Sequence, residues 1–118
     1  MRIALAKLGR LGEWRARWIY RLRGYRIVAR NLRIGGGEID LVARRGRTLV
    51  VAEVKTRQSL AAGEGFEAVD RRKQQQLVRL GELLLAREPA MRLRYDVVSL
   101  YWTGLHFVVR FIPDAFRP

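Results

Sequence analysis

Apolar residues recur at helical spacing in two stretches of the chain. The first runs from residue 3 to about residue 23, stops at Gly24, and carries Leu5, Leu8, Leu11, Trp18, Ile19 and Leu22. The second runs from residue 66 to about residue 87 and carries Val69, Leu77, Leu80 and Leu84. Spacings of three and four residues place such side chains on one face of a helix. The pattern therefore predicts two amphipathic helices. Gly9, Gly12 and Ala16 lie on one edge of the first helix, where their small size should let the backbone approach a sheet, with Glu13 at the margin of that contact.

Five shorter stretches, rich in alternating or continuous apolar residues, predict strands. They cover residues 25–31, 38–43, 47–55, 94–102 and 105–112. The third and fourth strands can pair in parallel only through the second helix, because parallel neighbours need a long crossover. The order α-β-β-β-α-β-β then predicts an α/β fold, a mixed central sheet flanked by helices in three layers. The second helix should begin near the end of the third strand.

Length and composition narrow the classes of function. The chain has 118 residues, 49% of them hydrophobic, which predicts a single domain over residues 1–118. It has no cysteine and one histidine, which excludes disulfides, thiol catalysis and Cys/His zinc sites. No apolar run reaches membrane-spanning length, so we expect a cytoplasmic protein with no membrane partner. The net charge of +13 indicates a polyanionic partner, with nucleic acid the obvious one.

Three acidic residues stand out in this basic chain because they interrupt the apolar second and third strands. Alternation places Glu53 and Lys55 on one face of the third strand. If the hairpin loop at "RRGR" has an even number of residues, Asp40 lies opposite Val51, on that same face and diagonal to Glu53. Glu38 would then join the cluster. An odd loop would turn Asp40 away.

Such a cluster of like charges needs a positive partner. Mg²⁺ or Mn²⁺ would supply one, because hard divalent cations favour carboxylate oxygens and complete their shell with water and phosphate oxygens. The alternative is that Lys55 and nearby arginines neutralise an acidic rim at the strand ends. Only three of the 24 basic residues are lysines, which makes the lysine at position 55 informative. It favours a need for a compact ammonium there.

The strings "GEIDLV", "VAEVKTR" and "RYDVVS" together resemble the PD-(D/E)xK nuclease signature, and they are similar to the bacterial YraN family, which is related to archaeal Holliday junction resolvases. The resemblance implies a restriction-endonuclease-like fold with Asp40 and Glu53 as metal ligands and Lys55 as the catalytic lysine. It adds Glu13 as the first-helix glutamate of the resolvase-like subgroup. Ile39 departs from the proline of the family signature. The implied activity is Mg²⁺- or Mn²⁺-dependent hydrolysis of phosphodiester bonds in DNA, including branched or structured DNA.

Basic and polar residues near these positions are the expected nucleic-acid contacts. They are Arg10, Arg17, Arg21, Arg57, Lys73 and Gln76. Trp14 lies among the helix arginines, where stacking on a base and partial burial in the core are both open, with burial favoured. Lys73 and Gln76 also fit a plainer interpretation as the polar end of a buried helical stripe.

Two acidic residues have an equally plain interpretation as partners in local ion pairs. Glu13 precedes Arg17 by one helical turn, a spacing that allows a salt bridge on the helix surface. Asp96 follows Arg94 at the entrance of a strand, which favours a local ion pair or a turn. For Glu13 this interpretation stands beside the catalytic one.

Two classes of function follow. The first is a metal-dependent endonuclease, and the second is a basic nucleic-acid-binding protein that retains the nuclease fold without turnover. A pure binding protein has no need for a repelling acidic pair inside a cationic chain, and this favours the enzyme. Resolvases act as dimers, so a homodimer stays open by analogy alone.

Overall fold

The computed structural model describes residues 4–58 and 69–118. In chain order the elements are α1 (Leu5–Leu22), β1 (Arg26–Ile34), β2 (Gly37–Arg45), β3 (Thr48–Arg57), α2 (Arg71–Arg87), β4 (Arg92–Trp102) and β5 (Phe107–Phe116). The strands form one five-stranded sheet in the order β1-β2-β3-β4-β5. The β3–β4 pair is parallel and the other pairs are antiparallel. The predicted element order, mixed sheet and parallel crossover are confirmed.

Each face of the sheet is covered by one helix. Even-numbered residues of β3, such as Val50 and Ala52, join a core with Ala16, Ile19 and Tyr20 of α1. Odd-numbered residues, such as Leu49 and Val51, join a second core with Leu77, Leu80 and Leu84 of α2. Because β3 is buried on both faces from Leu49 to Ala52, its sequence there is continuously apolar instead of alternating. The result is the predicted three-layer α/β architecture.

The buried face of α1 differs from the predicted stripe. Gly12 is buried, and its missing side chain lets the helix backbone approach Thr56 of β3. Trp14, expected to be partly in the core, is 52% exposed because it lies on the side of α1 away from that contact. Leu5, Trp18 and Leu22 are also exposed, so their assignment to the apolar stripe was wrong. In the described part of the chain, neither helix is long and apolar enough to cross a bilayer.

The helix α2 starts later than residue 66. Its N-cap is Asp70, whose Oδ1 accepts the backbone N–H of Lys73 at 2.9 Å. Val69 is buried but precedes the helix, and residues 66–68 lie outside the described ranges. Aspartate is a favoured cap because its oxygen satisfies an N–H that lacks an intrahelical partner. The carboxylate therefore fixes where α2 begins.

The edge strands run further than their apolar patterns indicate. The first strand was expected to end at residue 31, but β1 continues to Ile34, which is buried against α2. The last strand was expected over residues 105–112, whereas β5 is Phe107–Phe116 and passes through Pro113. An edge strand tolerates proline because one side of its backbone has no partner strand.

The β2–β3 hairpin has an even loop, as expected, but a different register. Gly46 and Arg47 form the turn, and Gly46 has a φ of 58°, which favours glycine at the first position of a two-residue turn. Val51 pairs with Val42, so the prediction that it lies opposite Asp40 was wrong. Extending the observed register places Asp40 level with Glu53 itself.

Candidate functional site

The sheet splits between β2 and β3 at the level of the predicted acidic pair. The last paired residues of the two strands are Leu41 and Ala52. Beyond them, residues 37–39 pair with β1 and residues 53–57 pair with β4. We call this opening the fork. It exposes the end of β3 that carries Glu53 and Lys55.

Asp40 lies at the point where the fork opens. Its Oδ2 accepts the backbone N–H of Val54 at 2.9 Å, so a side chain continues the link between the strands where the backbone ladder ends. The regular alternation of β2 also breaks here. Ile39 packs in the α2-side core, whereas Leu41 packs in the α1-side core. The carboxylate of Asp40 is thereby fixed to β3 beside Glu53.

Glu53 is a half-buried carboxyl group with an unusual environment. Its Oε1 is buried and has no hydrogen-bond partner among the described residues. Burial first, and then the negative charge of Asp40 and a hydrogen bond with it, raise the pKa of Glu53 to about 7. The charges of Lys73 and Lys55 act in the opposite direction. The two carboxyl groups are thus close enough to disfavour simultaneous ionisation.

Both lysines near Glu53 were predicted members of the site. Lys55 follows Glu53 by two residues on β3, and alternation places it on the same face. Lys73 lies in the first turn of α2, where the parallel crossover returns the chain to the end of β3. Its charge acts on Glu53, and this is the proximity that the crossover predicts. The structure therefore brings together Asp40, Glu53, Lys55 and Lys73.

Two other predicted contacts border the fork. Gln76, one turn after Lys73, lies over the backbone of Gly37 at the start of β2. A Cβ atom at residue 37 would lie 3.0 Å from Nε2 of Gln76. Arg57 is the last residue of β3 and is half-buried. Both positions flank the acidic pair, one on α2 and one on β3.

The other two acidic candidates, Glu38 and Glu13, do not join the pair of Asp40 and Glu53. Glu38 is exposed and lies opposite Arg33, where both line a depression at the β1–β2 turn. Glu13 lies on α1, across the sheet from α2, and its charge acts on Arg17. Within residues 4–58 and 69–118, no group of three or more His, Cys, Asp or Glu side chains could hold a metal ion. The expected cluster of Glu38, Asp40 and Glu53 is reduced to a pair.

The pair fits a hard divalent cation by the chemistry of its donors. Asp40 and Glu53 offer carboxylate oxygens, and the buried Oε1 of Glu53 lacks a partner in the described residues. Mg²⁺ is commonly held by one or two carboxylates, with water and phosphate oxygens filling its remaining positions. Two carboxylates are therefore sufficient for such a site.

Asp96 has a larger role than the sequence indicated. It is fully buried in β4 and accepts hydrogen bonds from the Tyr20 hydroxyl at 2.7 Å and the Asp114 backbone N–H at 2.9 Å. Nε and Nη2 of Arg94 donate two more, at 2.8 and 2.7 Å. The local ion pair with Arg94 was expected, but the contacts with Tyr20 and Asp114 were missed. Asp96 thus links α1 and β5 to β4 through hydrogen bonds.

Comparison with known proteins identifies the family. The sequence model described as "Uncharacterised protein family UPF0102" matches residues 12–100. The chain belongs to this family. The matched range runs from Gly12 in α1 to Leu100 in β4, so it contains the fork and Asp96. The expected YraN family is confirmed in this form, while membership of the nuclease superfamily stays a prediction.

Relatives from several bacteria match most of their own length. A UPF0102 protein of Paenarthrobacter aurescens is 50% identical over 100 residues, which cover 83% of this chain and 83% of that protein. One from Parvibaculum lavamentivorans is 43% identical over 125 residues, covering 98% and 86%. One from Caldicellulosiruptor saccharolyticus is 41% identical over 114 residues, covering 93% and 97%. Their shared name assigns the family without assigning a reaction.

Proposed function

We propose that this UPF0102 protein is a metal-dependent endonuclease that hydrolyses phosphodiester bonds in DNA. The observation that carries the proposal is the acidic pair in the fork. Glu53 presents a buried oxygen without a partner in the described residues, next to a second carboxylate, in a chain of net charge +13. The resemblance to PD-(D/E)xK nucleases assigns metal-ligand roles to these same two residues.

The local energetics support a functional rather than a structural pair. A buried polar atom without a partner costs about 1–3 kcal/mol, and a neighbouring like charge adds to that cost. A structural site would gain stability by replacing one carboxylate with an amide or an apolar residue. A bound cation would satisfy both carboxylates and would offset this cost.

Each residue of the site has a distinct task in this proposal. Asp40 and Glu53 would hold Mg²⁺ or Mn²⁺, which when bound supplies Lewis acidity toward a phosphodiester oxygen and lowers the pKa of water. Asp40 is oriented by the Val54 N–H. Lys55 offsets the negative charge that develops on the phosphate during attack. Lys73 and the N-terminus of α2 add positive potential on the α2 side of the fork.

The test is cleavage of a panel of linear, branched and single-stranded DNAs with Mg²⁺, Mn²⁺ or a chelator. Glu53→Gln should lose metal-dependent cleavage, while its metal-free DNA binding persists or tightens because local repulsion of phosphate falls. Lys55→Ala should lose cleavage without tighter binding. Lys55→Arg should fail to restore cleavage, since a planar guanidinium replaces a compact ammonium. Glu82→Gln, an exposed change on α2, is the matched control and should cleave normally.

Two outcomes would remove the proposal. Equal cleavage rates for the unmodified, Glu53→Gln and Lys55→Ala proteins, free of contaminating nuclease, would show that the fork is not the site. DNA binding without cleavage under every metal condition would favour the alternative, a basic nucleic-acid-binding protein that retains the fold. In either case binding should weaken steeply with salt, because arginine–phosphate contacts release counterions.

A further inference from the structure

The outward side of α1 carries a surface that the acidic pair does not use. It consists of Arg10, Trp14, Arg17, Trp18 and Arg21, which we call the tryptophan–arginine face. Their spacings of three, four and seven residues make them neighbours on one side of the helix. The buried residues of α1, such as Gly12 and Ala16, lie on the other side. The face therefore points away from the sheet.

Its two indoles are exposed to an unusual degree. Trp14 is 52% exposed and Trp18 is 41% exposed, although both are large aromatic side chains. One helical turn separates them, or about 6 Å along the axis. The guanidinium of Arg21 lies 5.3 Å from the centre of the Trp18 ring, within the range of a cation–π contact. The face thus offers ring surfaces for stacking, bordered by positive charge.

Arg17, at the middle of this face, lies near like charges. Burial first, and then the positive charges of Arg30 on β1 and Arg21, lower the pKa of Arg17. Glu13 is the opposing charge that acts on Arg17. Because arginine stays ionised in proteins, this crowding is relieved by an anion rather than by loss of a proton. A ligand with several negative charges suits the face.

Charge complementarity decides between two kinds of partner for these exposed rings. In a twofold dimer the same face would meet itself, which would bring the arginines of one copy against the arginines of the other. Like charges placed opposite each other oppose association. A nucleic-acid strand carries both groups that the face can bind, since its phosphates match the arginines and its bases match the indoles.

We infer that the tryptophan–arginine face binds single-stranded DNA, with unpaired bases stacked on Trp14 and Trp18 and phosphates on the flanking arginines. Bases in a duplex are already stacked on one another, so the face discriminates in favour of an unpaired segment. The contact of Gly12 with Thr56 places α1 against the end of β3 that carries Glu53 and Lys55, whose side chains project from the opposite, α2-facing side of the sheet. This inference rests on the proposed nuclease function. It implies that the substrate is DNA with a single-stranded segment.

The first test uses tryptophan fluorescence in the full chain carrying Trp102→Phe. Trp102 packs on Phe107 in the β4–β5 hairpin, so this change leaves the two helix indoles as the emitters. With chelator present, a thymidine oligonucleotide should quench the emission. A duplex of equal length and an abasic strand with the same number of phosphates should quench little. Equal quenching by all three would overturn the inference, because it would show charge binding without stacking.

The second test measures affinity by anisotropy of dye-labelled DNA, in a Glu53→Gln background so that cleavage plays no part. Trp14→Ala with Trp18→Ala should weaken single-strand binding by about tenfold or more and change duplex binding little. Trp14→Phe with Trp18→Phe should retain most of the affinity, because phenylalanine still stacks. Single-strand affinity unchanged in the alanine variant would overturn the inference. The inference would also be overturned if the alanine variant converted a dimer to a monomer without changing the affinity for DNA.

These tests distinguish a failure of the acidic pair as the catalytic site from a failure of the tryptophan–arginine face as a binding site for unpaired bases. If the acidic pair is not catalytic, quenching in the Trp102→Phe protein and single-strand affinity in the Glu53→Gln background should be unaffected. If the face does not bind bases, metal-dependent cleavage of DNA can still be lost in Glu53→Gln.

Discussion

Two carboxyl groups on neighbouring strands of the same sheet have opposite environments. Asp96 pairs with Ala52 across the β3–β4 ladder, and Glu53 is the next residue along β3. Alternation therefore turns Asp96 toward α1 and Glu53 toward α2. Asp96 accepts four hydrogen bonds. Glu53 has an oxygen without a partner among the described residues and a carboxylate for a neighbour.

The difference separates a carboxylate that is fully hydrogen-bonded from one that is not. Arg94 meets Asp96 with two donors, and this pairing, partly opposed by burial, raises the pKa of Arg94. Burial, and then the charge of Asp96 and its hydrogen bond, raise the pKa of Tyr20. Every partner of Asp96 thus donates a hydrogen bond to its carboxylate. One oxygen of Glu53 has no such donor among the described residues, and under the proposed function a bound cation would satisfy it.

The largest expected effect comes from a matched pair of acid-to-amide changes. Asp96→Asn should lower the free energy of unfolding by about 3–5 kcal/mol, because it leaves Arg94 without its charged partner and places an amide among donors. Glu53→Gln should leave stability unchanged or raise it. Urea unfolding at neutral pH, without metal, measures both. Similar losses for the two variants would remove the distinction between the sites.

The second expectation concerns pH. The folded protein raises the pKa of Glu53 from 4.5 to about 7, so folded Glu53 holds its proton more tightly than unfolded Glu53. Stability from this group is complete below the unfolded pKa and is lost as pH rises through the folded pKa. With chelator, raising pH from about 5 to about 8 should destabilise the unmodified protein relative to Glu53→Gln by up to about 3 kcal/mol. Identical pH slopes would contradict the raised pKa.

The smallest effect tests whether the two sites are independent. Tyr20→Phe removes the hydroxyl that donates to Asp96, a hydrogen bond to a charged group worth about 1.5–3 kcal/mol. Stability should fall by that amount, while affinity for Mn²⁺ stays within about twofold, because Tyr20 and Glu53 face opposite sides of the sheet. Calorimetric titration of the folded variant checks this. A large change in metal affinity would mean that the sites are coupled through β3 and β4.

Much of the fold followed from local patterns. Alternation in β3 predicted that Glu53 and Lys55 share a face, and the parallel crossover predicted that α2 begins near the end of β3. The register was missed because it depends on which residues of "RRGR" form the turn, and Gly46 takes the first position. The approach of the small-residue edge of α1 to the sheet was predicted correctly, but the large apolar residues were assigned wrongly because they cover two sides of the helix. The small residues Gly12 and Ala16, rather than Trp14 or Trp18, determine which side approaches the sheet.

The candidate site was predictable in its residues but not in its geometry. Like charges in apolar strands identified Asp40 and Glu53, and the scarcity of lysine drew attention to Lys55. The fork could not be predicted, because it depends on where the β2–β3 ladder stops. The full role of Asp96 was also beyond the sequence, since Tyr20 lies 76 residues away along the chain. Contacts at such a separation exist only once the layers have packed.

Binding of Mn²⁺ to the metal-free protein, measured by calorimetric titration without DNA, tests the central claim most directly. The unmodified protein should bind the ion at one site, and Glu53→Gln and Asp40→Asn should each weaken binding by at least about tenfold, because each removes a charged ligand. Glu82→Gln, exposed on α2, should bind like the unmodified protein. Equal affinity in the Glu53→Gln, Asp40→Asn and unmodified proteins, or no binding to any of them, would contradict the assignment of the fork as a cation site.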